Sequence, residues 1–466
     1  AILLTVPWLL AWAAGFVHGM SDLAVVGVSG LAVLGASFLL AWAAETAEED
    51  VPRAFALAVL AVLAVAPEYA VDALYAWGAG AKGATAEACA DIVANHPGLI
   101  ERVAELPRSQ VQSGLERTAL GCHEGNLAVA NMTGANRILI GIGWAGIAAF
   151  TVWQAHRTSD PAVEEREGWL ANVVHLDRSI ATEITFLFLA TLWAFFVPLG
   201  GGIDALDMIL LVGLYVTYIG IIIRGDVEAE TEQVGVPAHL QSYPGPIRIP
   251  VVIGLFAFSG FLILTAVEPF AHGLENLGQA IGVPSFFMIQ WIAPLASESP
   301  ELIVVAVLVW KARSTAGFNA LISSKLNQWT LLIGTLAVVY SIAAGQVATL
   351  PFDQKQVAEI WITAAQSFFA IAIITNFEIS VREAVALFAL FLSQVLVEFG
   401  AILTLPEAAA EAFSIDVLYA YTVLYLVVGG YLFARRRGEL RTLAGRTAGT
   451  VREAFGSEPG RPERAD

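Results

Sequence analysis

The sequence predicts an all-α polytopic membrane protein, and three observations carry that prediction. Of its 466 residues, 57% are hydrophobic and 14% charged, with a mean hydropathy of +0.70. A soluble protein carries about 25% charged residues. Apolar runs of about 20 residues, each able to cross a hydrocarbon core of about 30 Å, recur along the chain. A Pro-Glu pair lies deep inside two of those runs, at Pro67-Glu68 and Pro300-Glu301.

Taken in order, the apolar runs read as helices at residues 2–18, 22–44, 53–80, 125–155, 179–199, 205–224, 248–270, 284–312, 317–345, 357–376, 379–399 and 414–434, about twelve spans. The first run reads as a spanning helix rather than a trimmed signal sequence. The polar segment 81–124, with Pro97 and Pro107, reads as one or two short helices outside the membrane. Cys89 and Cys122 fall in it or at its edge, and either an external disulfide or two unpaired thiols fits. Two cysteines exclude a disulfide-rich scaffold and a Cys-based zinc site. With both termini in the cytoplasm, seventeen of the 24 Lys and Arg residues fall in cytoplasmic segments, the bias expected of inside-facing loops. The tail after Gly438 reads as a surface helix followed by disorder, with a basic patch for anionic lipid as its functional option.

The net charge of −18 argues against a nucleic-acid partner. Cations, protons and the lipid bilayer are the expected partners, and the oligomeric state stays open. No His-Glu-x-x-His pattern, phosphate loop or nucleophile elbow occurs, so the chain reads as a non-enzyme without a cofactor.

The Pro-Glu pairs organise the functional reading. A carboxylate at the centre of a membrane helix costs about 2.5–3.5 kcal/mol on insertion scales. Proline withholds a backbone donor and frees the carbonyl four residues back, here those of Leu63 and Ala296. Carboxylates beside freed carbonyls are hard oxygen ligands of the kind that Na⁺ or Ca²⁺ takes. Each pair is followed by a small-residue helix, Asn131-Met132-Thr133-Gly134-Ala135-Asn136-Arg137 in the first half and Asn319-Ala320-Leu321-Ile322-Ser323-Ser324-Lys325 in the second. The first Pro-Glu helix runs outward and the second inward, the pattern of an inverted-repeat transporter with its site at the midplane.

With these motifs the chain resembles the calcium/cation antiporter superfamily, the sodium/calcium exchangers and their relatives. The pattern Pro-Glu-Tyr-Ala-Val-Asp with Ala-Asn-Met-Thr-Gly-Ala-Asn-Arg is similar to that of bacterial sodium:proton or sodium:calcium exchangers. The resemblance implies two inverted five-helix repeats with flanking helices. It divides the chain into an extra N-terminal helix (1–21), a first repeat (22–225) with the external insertion 81–124, and a cytoplasmic linker (226–247). A second repeat (248–400), an extra C-terminal helix (401–437) and a cytoplasmic tail (438–466) follow. It also implies that Glu68 and Glu301 bind the transported ion, that Ser297 and Ser323 supply hydroxyl ligands, and that Asn327 stands at a ligating position. Asn131 contributes an amide.

The departures from the family pattern shape the function expected. Ala64, Val65, Ala135 and Leu139 stand where the first repeat would offer polar ligands. Glu298 replaces a serine, and Asp72 follows Glu68 by one turn on the same face. Arg137 and Lys325 occupy matching positions, apolar in the family, and read either as tethered cations for the site carboxylates or as structural pairs. The expected function is a secondary antiporter exchanging Na⁺ or Ca²⁺ for H⁺ or another cation, with the ion in the site as cargo. A sodium/calcium exchanger proper is the alternative, and a non-transporting receptor or assembly subunit the further one. Elsewhere, Glu268 reads as a helix end, Glu398 with Gln394 as an interhelical partner, Asp204 and Asp207 as a helix start, and His123-Glu124 as surface or an external pH sensor.

Overall fold

A computed structural model describes residues 1–51, 66–104, 106, 110–155, 157, 160–224 and 235–456. Its helices are α1 (Ile2–Ala13), α2 (Asp22–Ala47), α3 (Ala66–Ala81), the short α4 (Ala86–Asn95) and α5 (Leu99–Ala104), α6 (Gly114–Ala155), α7 (Arg178–Gly200), α8 (Ala205–Arg224) and the short α9 (Val236–Gln241). There follow α10 (Gly245–Ile281), α11 (Ser285–Trp310), α12 (Ser314–Ala344), α13 (Gln354–Ile374), α14 (Val381–Thr404), α15 (Glu407–Arg435) and α16 (Arg437–Gly456). Among the described residues, ten helices are long and apolar enough to cross a membrane. In hydrocarbon every backbone group must find its partner within the helix, which is why these runs fold as they do.

Several boundaries differ from the sequence reading. The first helix is short, ending at Ala13. The helix expected from residue 125 begins at Gly114, where Ser113 and Glu116 form a capping box. The seventh expected span runs through Pro269 to Ile281, so Glu268 is an exposed mid-helix residue and not a helix end. Two short helices do form in the external segment, and a disulfide joins Cys89 to Cys122. Asp204 caps α8 by accepting from the amides of Leu206 and Asp207 at 2.8 and 3.0 Å. Leu63, Ala64 and Val65, most of the linker before Gly235 and the tail beyond Gly456 lie outside the described residues.

The architecture is two inverted five-helix repeats, and the packing shows the inversion directly. Helix α3 packs on α12, and its counterpart α11 packs on α6; α2 and α10 pack along each other. Two small antiparallel sheets repeat the exchange. At one end, β1 (Val163–Glu164) pairs with β2 (Val173–His175), which pairs with β5 (Glu378–Ser380). At the other, β3 (Gly202–Ile203) pairs with β4 (Leu350–Pro351). The first sheet thus joins two strands from the third interhelical loop of the first repeat to one from the fourth loop of the second, and the other sheet joins one strand from the fourth loop of the first repeat to one from the third loop of the second. Both α6 and α12 contain a wide π turn, at Leu139–Trp144 and Gln328–Leu332, just past Arg137 and Lys325. Such turns are frequent at functional sites.

Small residues set the closest approach. A Cβ on Gly134 would lie 1.8 Å from the Gln290 carbonyl oxygen, so α6 and α11 cross backbone to backbone. Pro294 has no N–H to offer that same carbonyl.

Candidate functional site

The two Pro-Glu segments meet at one cavity of about 320 Å³. Its inner lining is Glu68 from α3, Ser297, Glu298 and Glu301 from α11, and Ser323, Ser324 and Asn327 from α12. From there it runs along the second halves of α2 and α8, past Ser37, Tyr215 and Tyr218, to Glu45 and Glu48. That is the end bearing the β1–β2–β5 sheet. The opposite end is closed. Tyr75 donates to Glu275 at 2.9 Å, Lys82 pairs with Glu124 at 2.5 Å, and the Tyr340 hydroxyl reaches the Ala84 carbonyl.

Glu68 and Glu298 are buried and bridged by one amide. Gln328 Nε2 donates to Glu68 Oε2 at 2.8 Å and to Glu298 Oε1 at 2.7 Å. Among the described residues no donor reaches the second oxygen of either carboxyl, Gln328 Oε1 is without a partner, and the two carboxyl groups lie within hydrogen-bonding reach of each other. Glu301 accepts from Ser324 Oγ at 2.9 Å, and Tyr69 donates to Asn327 Oδ1 at 3.2 Å. Ser297 donates back to the Pro294 carbonyl at 3.3 Å, and Ser323 lies against the Tyr218 hydroxyl. The site therefore gathers three carboxyl groups, three serine hydroxyls and an asparagine amide around one space. Unsatisfied buried carboxyl oxygens are costly, which makes them a natural place for a cation or a proton. Among the described residues no three His, Cys, Asp or Glu side chains converge tightly enough to hold a metal ion by themselves. Hydroxyl, amide or water oxygens must therefore complete any shell.

Six of the eight residues expected at the site line this cavity: Glu68, Ser297, Glu298, Glu301, Ser323 and Asn327. Asp72 and Asn131 do not. They are fully buried and bound to each other, Asn131 Nδ2 to Asp72 Oδ1 at 2.9 Å, one turn deeper in α3 and α6. Asp72 stays within electrostatic reach of Glu68 without lining the cavity. The Ala296 carbonyl does not line it either.

Sequence reasoning passed over Gln328, although it directly follows Asn327. A regular helix gives no reason to choose it; the π turn that starts there decides its direction. Ser324 was visible beside Ser323, and its role depends on how α11 and α12 are phased.

Arg137 and Lys325 take different partners. Arg137 pairs with Glu359 at 2.8 Å, reaches Gln394, and has its guanidinium 4.9 Å from the Trp291 ring centre. It is a structural pair, not a tether for the site carboxylates. Lys325 donates to the side chain and carbonyl of Asn136 at 2.7 and 3.1 Å and lies over the Trp329 ring. It also stands within electrostatic reach of Glu68 and Glu298. His123 and Glu124 are inside the closed end, not on the surface. His123 lies 3.4 Å from Glu275, which His272 also contacts at 2.8 Å.

Inverted repeats closing on a carboxylate-lined cavity, open at one end and sealed at the other, define a membrane transporter of the alternating-access class. A model of the sodium/calcium exchanger protein family matches residues 117–224 and 251–400, and the chain belongs to that family. The crystal structure of an H⁺/Ca²⁺ exchanger, CAX, is 41% identical, covers 96% of each chain and superposes with a TM-score of 0.77. Native YfkE, 14% identical, shares the fold over 85% of this chain and 98% of its own, with a TM-score of 0.52. Comparison with the curated proteins finds none that matches. The chain is a multi-pass membrane protein of a cation antiporter family, whose relatives are secondary transporters.

Proposed function

We propose that the chain exchanges Ca²⁺ for protons, with Glu68, Glu298 and Glu301 as the shared binding groups. The observation that carries this reading is the Gln328 amide held between two adjacent carboxyls, each with one buried oxygen that no donor among the described residues reaches. Its nitrogen stands where a cation would stand. A divalent ion entering the cavity displaces the amide, and turning the amide offers Oε1 as a further ligand. Ser297, Ser323 and Asn327 add oxygens of the type that Ca²⁺ coordinates. Asp72, held by Asn131, stands within electrostatic reach of Glu68.

Protons and Ca²⁺ neutralise the same carboxyls, so one must leave before the other binds. The similarity to an H⁺/Ca²⁺ exchanger at 41% identity supports that pairing. The first repeat supports it too: Ala135 and Leu139 add no oxygen, leaving little room for several Na⁺ ions beside a Ca²⁺. We place both termini and the β1–β2–β5 end in the cytoplasm, because the basic loops gather there. The cavity is then inward-open.

The test is calcium-45 uptake into proteoliposomes under a pH gradient or a Na⁺ gradient of equal size. Uptake should follow the pH gradient and be lost in Glu68→Gln and in Glu301→Gln. Uptake that follows Na⁺ alone would establish sodium/calcium exchange instead, and undiminished flux in both variants would remove the site assignment.

A further inference from the structure

A second buried charge cluster lies away from the cavity. It joins α6, α13, α14 and α15. Arg137 Nη1 donates to Glu359 Oε2 at 2.8 Å, and Arg137 Nη2 donates to Gln394 Oε1. The Gln394 amide donates in turn to Glu398 Oε2, and the Ser414 hydroxyl reaches Glu398 Oε1. Glu359 is wholly buried and Glu398 is 3% exposed. Among the described residues Glu359 Oε1 has no hydrogen-bond partner. None of these residues lines the cavity, and the exchange proposed above does not use them.

The charges do not balance. One guanidinium, which does not release its proton, faces two carboxyl groups. The next cation is Lys355, a half-exposed residue at the start of α13 whose ammonium lies over the Phe286 ring. Among the described residues, the hydroxyls of Tyr421 and Tyr425 also lie beside the cluster. A second carboxylate in this dry space would be a buried charge without a partner, a large cost. One proton removes it. Glu359 has the direct ion pair, so the proton falls to Glu398, which can return a hydrogen bond to Ser414 Oγ.

We propose that Glu398 is a proton-binding site distinct from the cation cavity and coupled to it through α6. The connection is short. Arg137 follows Asn136, which accepts two hydrogen bonds from Lys325, and Lys325 stands within electrostatic reach of Glu68 and Glu298. A proton at one end of this polar chain and a cation at the other are both positive loads, so each weakens the other's binding equally. That is the sign an antiporter needs.

The proposal rests on the proton-coupled reading above, and infrared titration of the purified protein separates the two. A carboxylic-acid band should persist at neutral pH and be missing in Glu398→Gln. In Glu359→Gln, Glu398 becomes the sole counter-ion of Arg137, and the same band should disappear. In proteoliposomes, the slope of the pH profile of Ca²⁺ uptake should fall by about one proton in Glu398→Gln, with saturable uptake retained. A band unchanged in both variants, or a pH profile unchanged in Glu398→Gln, overturns the proposal. So does a Glu398→Gln chain that fails to assemble, because glutamine reproduces the neutral acid in shape and charge. A wild-type chain that shows the band but moves no protons would sink the exchange reading and leave this site standing.

Discussion

Arg137 and Lys325 stand at the same place in two copies of one motif and do opposite things. Arg137 has its own carboxylate, Glu359, and turns away from the cavity. Lys325 has no carboxylate hydrogen-bonded to it among the described residues; it is held by Asn136 and the Trp329 ring and remains close to the site carboxyls. The acidic residues differ in the same way. Glu68 of the first repeat is held by Gln328 of the second, whereas Glu301 is held by Ser324 of its own repeat. The first half contributes Arg137 to an ion pair that crosses to Glu359 of the second half, and the second half supplies six of the seven polar side chains of the inner cavity lining. An inverted repeat can therefore keep its backbone symmetry and divide the labour between side chains.

The largest effect expected of breaking this division comes from Arg137→Met. It strands Glu359 as an unpaired buried charge, so stability should fall by about 3–5 kcal/mol. Thermal melting in detergent measures it, and adding Glu359→Leu should restore most of the loss. A melting temperature unchanged by Arg137→Met would show that Arg137 is no more fixed than Lys325. Next is Gly134→Ala, whose new methyl would collide with the Gln290 carbonyl. Overpacking of this kind costs about 1–3 kcal/mol, and the same melting assay reads it; the matching change Ile322→Ala in the second copy should leave the α6–α11 crossing in place.

Lys325→Met should fold and act on function instead. Removing a positive charge beside Glu68 and Glu298 should raise apparent Ca²⁺ affinity by about tenfold, or ~1.4 kcal/mol, and alter the pH profile of uptake. Unchanged affinity and pH profile would place Lys325 with Arg137 as purely structural. The smallest effect concerns the β1–β2–β5 sheet. Glu164 hydrogen-bonds Arg166 and His175, which hold its carboxyl at about 2, below the usual carboxylate value. A depressed value means that the contribution is complete above the ordinary carboxylate range and fades as pH falls toward 2. Glu164→Gln should therefore narrow a small stability difference between neutral and acidic pH, read by melting at the two pH values.

Much of this was legible in residue order. Apolar length announced the spans, and Pro67-Glu68 and Pro300-Glu301 marked where the halves meet. Both glutamates do line one cavity, together with Ser297, Glu298, Ser323 and Asn327. Helix ends were less legible. The capping box at Ser113 starts α6 eleven residues before its apolar run, and Pro269 does not stop α10. In a helix pair as long as α2 and α10, neighbouring packing outweighs the local cost of one proline.

What the sequence determined alone is the chemistry available: carboxylates too expensive for lipid, placed twice in apolar helices that run in opposite directions. Tertiary structure alone decided which of them share a space. Asp72 and Glu68 lie four residues apart, yet one pairs with Asn131 and the other opens to the cavity. Gln328 and Glu68 are far apart in the chain, yet a π turn and a helix crossing bring them to 2.8 Å. The reason is geometric. Spacing along a helix tells which residues share a face, and only the packing of that helix against its inverted counterpart tells what the face meets.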